Sequence, residues 1–154
     1  MSRGGSNNFP AQVQRQIYHL AKLYQFCDRV CLAEHGVGAT QGYTLLSIPQ
    51  EGSLTMNDLS NAMGLANSTT TRIVDQLVRK GLVRRKTDNS DRRVVRVELT
   101  ARGQELRRTL DKELQDFFKQ ALGEIPEDER PSIIRALTQV SQSIAKALEG
   151  SGGS

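Results

Sequence analysis

The chain has 154 residues, 37% of them hydrophobic and 25% charged, with a formal net charge of +4. That length supports a packed core without metal or disulfide staples, and two cysteines do not make a secreted disulfide framework. No apolar run approaches the ~18 residues of a membrane span, and MSRGGSNNFP at the start lacks the apolar stretch of a signal peptide, so a cytoplasmic protein with no membrane partner is expected.

Residues 1–9 and 150–154 are rich in Gly and Ser and read as flexible tails. A first helix is expected over 10–35. Val13, Ile17, Leu20, Tyr24, Cys27 and Cys31 recur at spacings of four and three, and Leu23, Phe26 and Val30 form a second stripe beside them. Two apolar faces on one helix call for more than one neighbour. Gly36 and Gly38 stop it, and Thr40 opens a short helix carrying Leu45, Leu46 and Ile48, closed by Pro49.

Thr55-Met56-Asn57-Asp58 has the pattern of a capping box and starts a helix ending near Met63, with Gly64 as the turn. The next helix is predicted over 66–80, with Ile73, Val74, Leu77 and Val78 facing inward and Gly81 ending it. Residues 82–87 and 94–99 alternate and are β-branched, with the turn-rich DNSDRR between them, so they read as a hairpin. Thr100 then caps a long helix to about Leu122, striped by Leu106, Leu110, Leu114, Phe117 and Ala121. Pro126 begins the entry to a last helix carrying Pro131, Ile133, Leu137, Val140, Ile144 and Leu148. No internal repeat is visible.

Helix, glycine turn, helix and hairpin in that order make a winged helix-turn-helix. The fold class expected is therefore mainly α with a small β-hairpin wing. Residues 40–103 form the winged unit, and 10–35 with 104–149 form a dimerisation bundle. A recognition helix presents short polar side chains at its N-terminal end, which points at base edges in the major groove. Asn67, Ser68, Thr69, Thr71 and Arg72 occupy that end here. Capping alone needs one or two such residues, and Thr is a mediocre helix former, so the run exceeds what a cap requires. Charge points the same way. Residues 79–96 hold eight basic and two acidic side chains, a local +6 in a chain of +4, and so one-signed a surplus suits a polyanion. Arg84, Lys86, Arg92 and Arg93 are the wing's candidate contacts. An Arg at a flexible tip can enter the narrow minor groove, and Asp91 beside it can pair with an Arg and aim it.

The stretches LTMNDLSNAMGLANSTTTRIVDQLVRKGLVRR at 54–85 and DNSDRRVVRVELTARG at 88–103 resemble the MarR (multiple antibiotic resistance regulator) family. The family's D-x-R wing motif falls on Asp91 and Arg93, and its LT..G on Leu99, Thr100 and Gly103. Two positions depart from the pattern. Ala66 stands where the family often has a Ser N-cap, so Asn67 or Ser68 is expected to cap instead, and Thr70 stands where it usually has Val. The resemblance implies a homodimeric transcription regulator, a repressor in the usual case, on a pseudo-palindromic operator in double-stranded DNA. It also implies release by a small aromatic or phenolic effector, in a pocket where the dimerisation helices meet the DNA lobe. His19, Leu23, Tyr24, Tyr43 and Leu46 would line that pocket, or else belong to the core. No cofactor is required.

Cys27, Cys31 and His35 repeat at i, i+4 and i+8. They could sense an oxidant or a thiophilic metal. The competing reading is core packing, because both thiols continue the stripe begun by Val13. The family's zinc-sensing branch adds histidines on the fifth helix, whereas this chain has only His19 and His35. A different class, a winged helix used only for protein–protein contact, is disfavoured by the basic head. An enzyme is not expected: there is no phosphate-binding glycine loop, no HExxH and no nucleophile with an evident base.

Overall fold

The computed structural model describes the backbone of residues 8–151, with the side chains of 26–31, 33 and 151 outside the described residues. The expected sensing thiols, Cys27 and Cys31, fall outside them. The elements are α1 (Phe9–Ala33), α2 (Ala39–Ser47), β1 (Leu54–Thr55), α3 (Met56–Met63), α4 (Asn67–Arg79), β2 (Val83–Thr87), β3 (Val95–Leu99), α5 (Ala101–Ala121) and α6 (Arg130–Ser151). Expected and observed boundaries mostly agree within two residues. At the ends, Phe9 already begins α1, and Gly150 and Ser151 belong to α6 rather than to tails. Pro126 lies in the turn before α6, and Pro131 sits in its first turn. There the missing proline N–H costs no intrahelical bond.

By contacts the chain divides into two compact units, Met1–Leu114 and Gln115–Ser154. The first contains the core, built from Leu32, Val37, Leu45, Ile48, Leu59, Ile73, Val74, Leu77, Leu82, Val83, Val97, Leu99 and Leu110. Of the described α1 side chains only Leu32 is buried, and it belongs to neither predicted stripe. On α4 the inward positions are Thr70, Ile73, Val74 and Leu77. Val78, expected inside, is 38% exposed. At 100° per residue, 70, 73, 74 and 77 share one face and 78 falls at its edge. Thr70 can occupy the interior because its hydroxyl donates back to the Ala66 carbonyl at 3.2 Å.

α3 and α4 end in the same way. Gly64 and Gly81 adopt φ +62° and +69°. The Leu65 N–H then donates to Ser60 O at 3.1 Å, and the Leu82 N–H to Leu77 O at 3.0 Å. These six-to-one bonds satisfy terminal carbonyls and turn the chain sharply. Thr55 caps α3, its hydroxyl oxygen accepting the Asp58 N–H at 3.0 Å while the hydroxyl donates to the Asp58 carboxylate at 2.7 Å.

The sheet is antiparallel in the order β1-β3-β2. β2 and β3 pair from Val83↔Leu99 to Thr87↔Val95. β1, which the sequence does not announce, adds Leu54↔Val97 and Thr55↔Arg96. Two residues are too few to show a period of two, and only the open edge of β3 makes them a strand.

The wing returns to the end of α4 at a tight junction. The Thr100 N–H donates to Leu82 O at 3.1 Å, its hydroxyl donates to Gly81 O at 2.7 Å, and that hydroxyl oxygen caps α5 by accepting the Gly103 N–H at 3.1 Å. A Cβ on Gly103 would lie 1.8 Å from the Leu82 carbonyl oxygen. Gly103→Ala is therefore expected to cost about 3 kcal/mol in urea denaturation, since backbone must move to admit the methyl. Gly38→Ala, at φ −77° with nothing within 4 Å, has room for the methyl, but Gly38 is the N-cap of α2, where Gly is preferred over Ala, so the exchange should be neutral or cost up to about 1 kcal/mol.

Candidate nucleic-acid interface

The N-terminal half of α4 is the polar surface next to the wing. Asn67, Ser68, Thr69, Thr71 and Arg72 are all exposed. Thr71 spends its hydroxyl proton on Asn67 O at 2.8 Å. Arg72 also borders a groove of about 310 Å³ with Thr69, Gln76 and the start of α2. The expected cap by Asn67 or Ser68 is absent. Ala66 itself is the N-cap residue, at φ −63° and ψ 146°, and no side chain caps the helix. The reason is register: Asn67 and Ser68 already have helical geometry, so neither is placed to reach the amides one turn on. The first intrahelical bond runs from the Thr70 N–H to Ala66 O at 3.0 Å. The N–H groups of Asn67, Ser68 and Thr69 thus point out of the helix end, where the macrodipole favours an anion.

Folding redistributes the charge of the wing. Arg84 Nε pairs with Glu98 at 2.6 Å, Arg85 with Asp75 of α4 at 2.7 Å, and Arg96 with Asp88 at 3.3 Å. Asp75 and Glu98 lie outside the basic stretch 79–96 and so escape its charge count. Arg84 is thereby held by a strand partner rather than left free for a ligand. Arg85 offsets the charge of an acid on α4. Lys80 binds Gly36 O at 2.5 Å and Gln41 Oε1 at 2.8 Å, at the far end of α4. Lys86, Arg92 and Arg93 of the wing are exposed, as is Arg72 on α4.

Residues 88–94 form the tip. It is tied by hydrogen bonds rather than loose. Asp88 Oδ1 accepts the Ser90 hydroxyl at 2.5 Å, the Ser90 N–H at 2.8 Å and the Asp91 N–H at 3.2 Å. The Asp88 N–H donates to Val94 O at 3.0 Å and the Val94 N–H to Asp91 O at 2.9 Å. Asp91 does aim an arginine: its Oδ1 accepts the Arg93 N–H at 3.0 Å and Nε at 3.3 Å, while the Arg93 side chain stays 91% exposed. Asp88, Arg85, Asp75 and Arg96 were not singled out from sequence. Only the Asp88-x-Ser90 spacing, an Asx-turn pattern, hints at any of them.

The other predicted residues are dispersed. His19 and Leu23 are exposed on α1, Tyr24 stacks on Tyr43 with ring centroids 6.0 Å apart, and Leu46 packs against the core. His35 Nε2 lies 2.8 Å from Glu113 Oε2, so the described member of the Cys27–Cys31–His35 series is engaged by a carboxylate. Among the described residues no group of three or more His, Cys, Asp or Glu could hold a metal ion. None of the described helices is long and apolar enough to cross a membrane.

The MarR family model matches residues 38–95, the span from the start of α2 to the first residue of β3. A MarR family protein from Bacillus stearothermophilus has the same fold, with a TM-score of 0.79 at 27% identity over 91% of this chain and 98% of that one. Over that span, and in its fold, this chain is similar to MarR-family proteins. YsmB of Bacillus subtilis strain 168, described as an uncharacterized HTH-type transcriptional regulator, is 28% identical over 119 residues, covering 77% of this chain and 82% of YsmB. The MepR–DNA complex of S. aureus superposes with a TM-score of 0.70 at 26% identity, over 87% of this chain and 96% of MepR.

Two outcomes follow for this end of α4 and for the tip. Ala66→Ser supplies the missing cap and should raise stability by about 1 kcal/mol. The new hydroxyl competes with phosphate for the same amides, so DNA affinity should fall severalfold; thermal melting and fluorescence anisotropy read the two effects separately. The second concerns pH. Hydrogen bonds from the Ser90 hydroxyl, then the Ser90 and Asp91 amides, and the Arg96 charge hold Asp88 below its ordinary 3.8, outweighing a small desolvation in the other direction. A depressed folded-state value means that the tip contacts persist above 3.8 and are lost only as pH falls through the lower, folded-state value. Followed by NMR, the Ser90 amide shift should titrate at lower pH than that of the same Asp-x-Ser sequence in an unstructured peptide.

Proposed function

We propose that this chain is a transcription regulator of the MarR family that acts as a homodimer on a pseudo-palindromic DNA site. In this reading α4 enters the major groove, the wing tip enters the adjacent minor groove, and occupancy of a promoter represses transcription in the cytoplasm. The observation that carries it is the exposed, uncapped polar end of α4 beside a tip that projects Arg92 and Arg93. Ser and Thr hydroxyls suit base edges and phosphates, and Arg can grip guanine O6 and N7. That MepR is seen bound to DNA supports the same docking here.

Homodimerisation is supported by apolar surface that each unit leaves open. Ile17, Leu20, Leu23 and Tyr24 of α1 are 38–55% exposed, and in the second unit Ile133, Ile134, Leu137, Ile144 and Leu148 are 37–68% exposed. Apolar faces this long are the mark of an interface. A twofold pair would set two recognition helices about 34–36 Å apart, one DNA turn. Release by a small aromatic or phenolic effector is supported by Arg107. Its guanidinium reaches Leu46 O and Gln50 Oε1, each at 3.3 Å, while its buried Nε has no hydrogen-bond partner among the described residues.

Duplex selected from a random-sequence pool by the protein tests this reading. Affinity should fall about a thousand- to hundred-thousand-fold between 50 and 200 mM salt, as expected for about 6–10 phosphates neutralised per dimer. Arg93→Ala should cost about 1–3 kcal/mol of binding while sedimentation still reports a dimer. A flat salt response would instead favour a protein–protein module, and a stable monomer at micromolar concentration would remove the twofold geometry.

A further inference from the structure

The wing tip Asp88-Asn89-Ser90-Asp91-Arg92-Arg93 contains neither Gly nor Pro. Its backbone has no residue-level restriction of its own, and no non-glycine residue in the described chain has positive φ. Two backbone bonds, Asp88 N–H to Val94 O and Val94 N–H to Asp91 O, close the loop, and side chains supply the rest of its order. One carboxylate makes the largest share of the side-chain bonds. Asp88 Oδ1 collects three donors from Ser90 and Asp91, and Oδ2 pairs with Arg96 at 3.3 Å. Arg96 faces Lys86 directly across the hairpin. Two cations opposed in register repel, and Asp88 offsets them at the base of the loop that carries Arg92 and Arg93.

We propose that Asp88 is the positioning residue of the wing, locking residues 88–94 in the DNA-binding conformation before DNA arrives. The assignment rests on the minor-groove reading of the wing given above. The physical gain is entropic. A loop ordered in the free protein does not pay for that ordering on association, whereas a loop freed by loss of Asp88 must be ordered against DNA. Asp88 itself touches no base. An acid this close to phosphate is tolerable because it is already surrounded by donors and by Arg96.

The test compares wild type with Asp88→Ala and Asp88→Asn on duplex selected from a random pool by wild type. Hydroxyl-radical cleavage reports the flanking minor groove, and methylation of guanine N7 reports the major groove. Asp88→Ala should bind about tenfold more weakly and lose the flanking minor-groove protection, yet keep the major-groove protection at saturating protein. Asp88→Asn keeps an acceptor for the Ser90 and Asp91 amides but no charge for Arg96, so it should recover part of both losses. Amide hydrogen exchange of the free variants should quicken at 89–93 and stay unchanged in α4, which separates a freed tip from a damaged fold. Wild-type affinity and protection in Asp88→Ala would overturn the assignment, as would equal loss in both grooves. Absence of flanking protection in the wild type would overturn the minor-groove reading itself, and the assignment with it.

Discussion

The backbone at Gly81–Leu82 is the joint on which the rest of the first unit depends. Three elements meet there within hydrogen-bonding distance. α4 ends by donating Leu82 N–H to Leu77 O, the wing closes when Thr100 N–H reaches Leu82 O, and α5 begins with the Thr100 hydroxyl bridging Gly81 O and the Gly103 N–H. Thr100 thus uses one side chain to satisfy the carbonyl of the glycine just past one helix and an orphan amide of the next. The approach is so close that only hydrogen fits on the Cα of Gly103. The joint sets the angle between α4 and the wing from below, and the Arg85–Asp75 pair fixes it from the side.

Electrostatics near the wing are a matter of partition rather than total. The basic stretch looks like a broad patch when counted along the chain. In space, three of its arginines are spent on Asp75, Glu98 and Asp88, and Lys80 ties the end of α4 to Gly36 and Gln41. Exposed pairs of this kind add little stability, about 0–1 kcal/mol each. Their effect is geometric: they hold the strands and the tip, while Arg72, Lys86, Arg92 and Arg93 stay exposed. Few, well-placed cations favour register on a duplex over indiscriminate attraction.

The apolar surface follows a different division. Leu32 plugs α1 into the core, and an added Cβ on Gly42 of α2 would meet its Cδ2 at 2.9 Å. Among the described residues of the α1 stripes, Ile17, Leu20 and Leu23 are exposed. Burying one end and exposing the remainder is economical for a helix that also serves a second surface, since the anchored end sets the direction of the open face.

The sequence by itself determined the order and kind of elements, because those rest on local physics: 3.6-residue periodicity in the helices, alternation in β2 and β3, glycines at Gly64 and Gly81 where the chain must take positive φ, and Thr55 and Thr100 at helix starts. The exposed face of α4 was legible for the same reason. What only tertiary structure decided involves partners distant in sequence. β1 exists because β3 offers an edge. Val78 gave its interior place to Thr70 because the helix angle, and not hydrophobicity alone, chooses the buried positions. The cap of α4 was misplaced by one residue, since the turn geometry of 64–66, and not the presence of a polar side chain, sets where helical φ and ψ begin. The charge of the wing was overcounted because Asp75 and Glu98 reach it only through folding. A charge is local along the chain, but its partner is chosen in space, and that choice decides which cations of the wing stay free.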